Sequence, residues 1–142
     1  MKKIYHKIKG TLRQKPFFLL LMPFFFIYSG YNELFGFLSW QFVASNLFFI
    51  IAVTSLLYIF FWLLLKKMKP AALSAFLITL YFLVFGYLHD NLKQIFKNSF
   101  INSYAFLLPL TGFIFLAIFF FFKKSKKDFS DFFLFLNLLF LI

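Results

Sequence analysis

Six polar residues could do chemistry: Tyr31, Asn32 and Glu33 form one tripeptide, and His89, Asp90 and Asn91 another. Such a set could contact a lipid head group or a substrate. The remaining inventory is thin, with four acids and two histidines in 142 residues. Hydrolysis or group transfer needs a nucleophile with its base, or a metal held by several His, Asp or Glu side chains. No HExxH, Walker loop, GxSxG or glycine-rich dinucleotide fingerprint is present, so no catalytic, cofactor-binding or metal-binding residue is assigned. The absence of cysteine removes disulfides, thiolate metal sites, S-acylation and a lipoprotein-type anchor.

The elements that must position these residues are apolar. A chain that is 63% hydrophobic and 13% charged cannot cover a water-facing surface, because soluble domains carry about a quarter charged residues. Lipid is the alternative solvent. Phenylalanine reaches 29 residues, alongside plentiful Lys, Asn, Ile and Leu and scarce Arg, Val and Ala. That combination follows from an A/T-rich coding sequence, and Phe suits a lipid-facing position; an aromatic platform for a ligand is the alternative.

Hydropathy and punctuation predict an all-α polytopic membrane bundle. It comprises four complete transmembrane helices over residues 14–31, 43–65, 71–88 and 105–122, and a fifth, incomplete one over 132–142. Pro23 is a place for a kink in the first, and Pro109 and Gly112 allow a bend in the fourth. Residues 34–41, with Gly36, Ser39 and Trp40, suit an interfacial turn, while Lys66, Lys67, Lys69 and Pro70 end the second helix. Ala71, Ser74 and Ala75 let the third approach a neighbour closely. Residues 90–103 repeat apolar positions at helical spacing with Lys93 and Lys97 on another face, which predicts an interfacial amphipathic helix capped by Asp90 or Asn91. Eleven residues after Asp131 reach only about 16 Å, half the hydrocarbon core, so the chain is expected to stop inside its fifth helix as the N-terminal piece of something longer.

The formal charge of +11 does not imply nucleic acid, because the basic residues sit in short clusters between apolar runs. With the N-terminus in the cytoplasm, four crossings place thirteen of the fifteen Lys and Arg residues inside and only Lys93 and Lys97 outside. Without the first crossing the asymmetry vanishes. Both tripeptides then share the outer face, where Glu33 could approach His89 and Asp90 could approach Lys93. Head-group or substrate contact is one reading of the set, a seat for an attached domain is another, and simple capping and solvation of helix ends is a third. No charge occupies the middle of a complete span, which argues against a proton relay or pump; Asn46, Thr54, Ser55, Ser74, Thr79 and Thr111 read as interhelical hydrogen-bonding groups. Anionic lipid and topology retention both account for the lysine clusters.

The order of pieces resembles the N-terminal membrane region of bacterial sulfatase-like and phosphoglycerol-transferase-like proteins of the alkaline phosphatase superfamily. The likeness is carried by Pro23-Phe24-Phe25-Phe26 leading to Gly30-Tyr31-Asn32-Glu33-Leu34-Phe35-Gly36, and by Phe85-Gly86-Tyr87-Leu88-His89-Asp90. Ser103 to Pro109 and Leu134 to Leu139 contribute further. The resemblance implies a bacterial inner-membrane protein whose helices anchor an extracytoplasmic catalytic domain beginning after Ile142 and present a lipid-linked substrate to it. The partners are then membrane lipids and that domain, and any enzymatic activity lies beyond Ile142. Two alternatives stay open: a fragment of a polytopic glycan polymerase, acyltransferase or transporter, and a small stand-alone membrane protein with a structural role.

Overall fold

The computed structural model describes residues 10–33, 39–95, 100, 103–125 and 127–141. Among them the chain is all-helical, with no strand, and five α-helices follow a short helical stretch at residues 10–14. These are α1 (Phe18–Glu33), α2 (Trp40–Leu65), α3 (Met68–Ile95), α4 (Tyr104–Lys124) and α5 (Ser130–Leu139). Three of them, α2, α3 and α4, are long and apolar enough to cross a membrane, at 26, 28 and 21 residues. At about 1.5 Å per residue they extend roughly 39, 42 and 32 Å, each at least the thickness of the hydrocarbon core.

Helix α1 is shorter than hydropathy predicts. Residues 10–14 are helical, the chain breaks at Lys15 and Pro16, and the 16-residue α1 begins only at Phe18. Proline lacks an amide donor and favours such a junction. Pro23 lies buried inside α1, which continues through it.

The second boundary also differs from expectation. Ser39 caps α2 by accepting from the Phe42 amide at 3.3 Å, so Trp40 opens the helix instead of occupying a preceding turn. Residues 34–38 lie outside the described residues. Helix α2 ends without help from Pro70: Lys66 adopts a left-handed conformation (φ 52°) and its amide donates to the Trp62 carbonyl at 2.9 Å. Pro70 sits in the first turn of α3, where a missing amide costs no intrahelical bond.

A separate interfacial helix beginning at residue 90 is not found. Residues 90–95 continue α3 without interruption, so Asp90 and Asn91 are interior helical positions and not N-caps. No glycine or proline separates Leu88 from Ile95, and the apolar repeat that suggested an amphipathic element extends a helix already under way. Residues 96–99 and 101–102 of that predicted segment lie outside the described residues.

Helix α3 is central. Of its most apolar stretch 44% of residues are buried, against 11% in α2 and in α4. It packs against α1, α2 and α4, and α1 packs against α2 and α5. Ala71, Ala72, Ser74 and Ala75 are fully buried, so the small residues that predicted close approach provide it within this chain. Phe18 anchors the core, edge-on to Phe76 of α3 (5.2 Å) and to Phe133 of α5 (5.1 Å). Large apolar side chains remain exposed along α2 and α4, among them Phe48, Phe49, Leu63 and Phe113. Lipid, not water, suits such faces.

Candidate functional site

Polar side chains gather at the two ends of the bundle. At one end, three basic segments meet. Lys69, in the first turn of α3, reaches the segment before α5, where its ammonium lies 2.5 Å from Asp128 and also contacts the Ser130 hydroxyl. Lys67 approaches the Ser125 carbonyl at 3.5 Å. Arg13 pairs with Asp131 at 2.8 Å. Asp128 further accepts from the amide of Ser130, the first residue of α5, at 3.2 Å. Hydrogen bonds from Lys69 and Ser130 hold the Asp128 carboxyl below its usual range.

Asn137 joins this end to the core. Fully buried, it accepts from the Phe18 amide at 2.7 Å and donates to the Leu12 and Lys15 carbonyls at 2.6 and 2.8 Å. One side chain of α5 thus satisfies three backbone groups around the break before α1. A sequence signal for it existed, since Asn137 is the single polar residue between Asp131 and Ile142.

At the other end, the length of α3 sets the geometry. His89 lies twenty residues beyond Lys69, about 30 Å along the axis, which matches one hydrocarbon thickness. Its ring is 6% exposed and stacks between Phe85, one turn earlier (6.1 Å, 9°), and Tyr104 from the first turn of α4 (5.0 Å, 29°). Its Nε2 is buried without a hydrogen-bond partner. Deeper along the same face, Tyr81 and Thr111 share a 2.7 Å hydrogen bond across α3 and α4, and the Thr111 hydroxyl is 2.8 Å from the Leu107 carbonyl.

The six predicted residues distribute over two helix pairs. Tyr31 meets Trp40 edge-on (6.1 Å) at the contact of α1 with α2, beside a hollow of about 190 Å³ that Gly30 and Asn46 also line. His89 belongs to the contact of α3 with α4. Asn32 and Asp90 are exposed, and Asn91 donates to the Tyr87 carbonyl at 2.8 Å. The Glu33 side chain, and with it the expected approach to His89, lies outside the described residues, as does Lys97. Tyr104 is the member that sequence reasoning missed, because its role depends on α4 folding back along α3.

Among the described residues, no group of three or more His, Asp or Glu side chains is placed to hold a metal. The polar set at the His89 end comprises a buried imidazole nitrogen, the Tyr104 phenol and the Asn91 amide. No family model, curated protein or solved structure matches the chain.

Proposed function

We propose that this chain is the membrane-anchoring domain of a larger bacterial inner-membrane enzyme of the sulfatase-like or phosphoglycerol-transferase-like kind. Its N-terminus is cytoplasmic, and it presents a lipid-linked substrate at its outer face. In this reading α1 makes the fourth crossing, assisted by the helical residues 10–14, and α5 begins a fifth directed outward. The observation that carries the orientation is the meeting of Arg13, Lys67 and Lys69 with the segment from Ser125 to Asp131, which collects the basic clusters at a single end. The outer end then holds His89, Tyr104 and Asn91, and the hollow beside Tyr31. Their aromatic bodies and polar tips suit the head-group boundary.

The coding sequence after Ile142 tests the anchoring role. A long polar region with Asp and His at metal-ligand spacing is expected; a stop codon directly after Ile142 overturns the reading, and a series of further spans favours a polytopic transferase or transporter. Replacing residues 1–142 of the full protein by an unrelated multi-span anchor separates presentation from tethering. Turnover of a water-soluble substrate should survive that exchange, while turnover of a lipid-linked one should fall at least tenfold.

A further inference from the structure

Helices α2 and α4 both flank α3 and leave a groove of about 460 Å³ between them, floored by Ile78 and Phe82. Its lining is wholly apolar. Leu64, one residue before the end of α2, and Phe119, five before the end of α4, mark its mouth; Leu57 and Gly112 mark its far end. Seven residues separate the two marks on each wall, so the groove runs about 10 Å along the helices. That lies within one leaflet's share of the roughly 30 Å hydrocarbon core, on the lysine side. A groove confined to one leaflet fits a lipid acyl chain and is too short for a spanning helix.

The charge at its mouth completes the site. Lys123 places its ammonium 5.7 Å over the ring of Phe119, which itself lines the groove. Lys67, reaching the Ser125 carbonyl, brings the α2–α3 turn to the end of α4 beside it. The two acids at this end are already engaged, Asp128 by Lys69 and Asp131 by Arg13. Lys66, Lys67 and Lys123 therefore have no carboxylate partner among the described residues. Basic pockets between helices at this depth recognise phosphate-bearing head groups.

We infer that the chain holds one anionic phospholipid in a defined seat, with its phosphate at Lys67 and Lys123 and an acyl chain in the groove between α2 and α4. Lysine clusters that merely retain topology need no groove, and diffuse attraction needs no particular lysine. The seat is independent of whether a catalytic domain follows.

Gly112 provides the decisive variant, because it lines the groove and a Cβ added there meets nothing within 4 Å. The purified chain is placed in phosphatidylcholine nanodiscs with a minor fraction of phosphatidylserine, and retained phosphatidylserine is counted by native mass spectrometry. Lys67→Gln with Lys123→Gln should weaken retention about 25-fold, at about fivefold per lysine. Gly112→Phe should weaken it to a similar degree without altering any charge, while its melting temperature in pure phosphatidylcholine stays at the wild-type value. Lys124→Gln with Lys127→Gln removes the same charge from a separate hollow beside Phe120 and Phe121 and should have a markedly smaller effect. Equal losses from the two lysine pairs, or retention unchanged in Gly112→Phe, overturns the seat. So does disulfide-linked dimer formation by Leu116→Cys in lipid, which would make the groove a contact between copies.

Discussion

At the residue scale, the orphan and the satisfied polar groups behave oppositely. Asn137 answers three backbone groups around the break before α1, and Asn137→Ala takes the acceptor from the buried Phe18 amide, whereas the exposed Lys15 carbonyl keeps its bond from the Phe17 amide. The expected loss is about 2 kcal/mol, read as a lower midpoint of thermal unfolding in detergent. Asn137→Asp should cost at least as much, because a buried carboxylate would set its second oxygen against the Leu12 and Lys15 carbonyl oxygens where the amide now donates. His89 presents the reverse case, with a buried nitrogen that bonds to nothing. His89→Phe keeps the stack on Phe85 and Tyr104 while removing that nitrogen, and should raise stability by up to about 1 kcal/mol. Under the proposed function, activity that falls in this variant at undiminished abundance would assign the nitrogen a chemical task. Asp128 adds a pH dependence. Its carboxyl is held below the usual range by Lys69 and Ser130, so the stabilisation is complete above the unfolded carboxylate value and is lost as pH falls through the folded one. Acid titration of the melting temperature should show a step in the wild type that flattens in Asp128→Asn.

At the scale of the element, helix ends carry the information. The turn between α2 and α3 is closed by Lys66 in the left-handed region, a conformation that costs an L-residue about 1 kcal/mol and glycine nothing. Lys66→Gly should therefore raise the melting temperature in neutral detergent, against the usual sign for introducing glycine; a lowered one would show that the side chain contributes more than its backbone costs. Helix α3 is the axle of the bundle because small residues crowd its lysine end and aromatics its other end. Ala71, Ala72, Ser74 and Ala75 admit close neighbours, while Tyr81, Phe85 and His89, four residues apart, form a ladder against α4. Residues 90–95 of the predicted interfacial helix belong to this element for a plain reason: periodicity reports a helical face but not where a helix starts.

For the molecule as a whole, the arrangement is a lysine end, an apolar girdle and a polar-aromatic end. The native chain lacks cysteine, so single cysteines report topology without background. Asn32→Cys and Asn91→Cys in intact cells should react with a membrane-impermeant maleimide, and Ser125→Cys should react only after permeabilisation. Labelling of Ser125→Cys in intact cells would invert the proposed orientation.

Much of this was legible in the residues alone. Preference for lipid is a sum over side chains, so composition and run length determined the helical class and the approximate bounds of α2 and α4, while lysine spacing predicted that the basic clusters would share an end. Boundaries were less legible, since Pro16, Ser39, Lys66 and Pro70 shift them by local geometry that hydropathy does not weigh. The tertiary structure alone decided which helix is central, that Asn137 closes the break before α1 from 119 residues away, and that His89 is roofed by Tyr104. Those outcomes depend on pairwise contact between distant segments, and a contact, unlike a hydropathy, is not a property of either residue by itself.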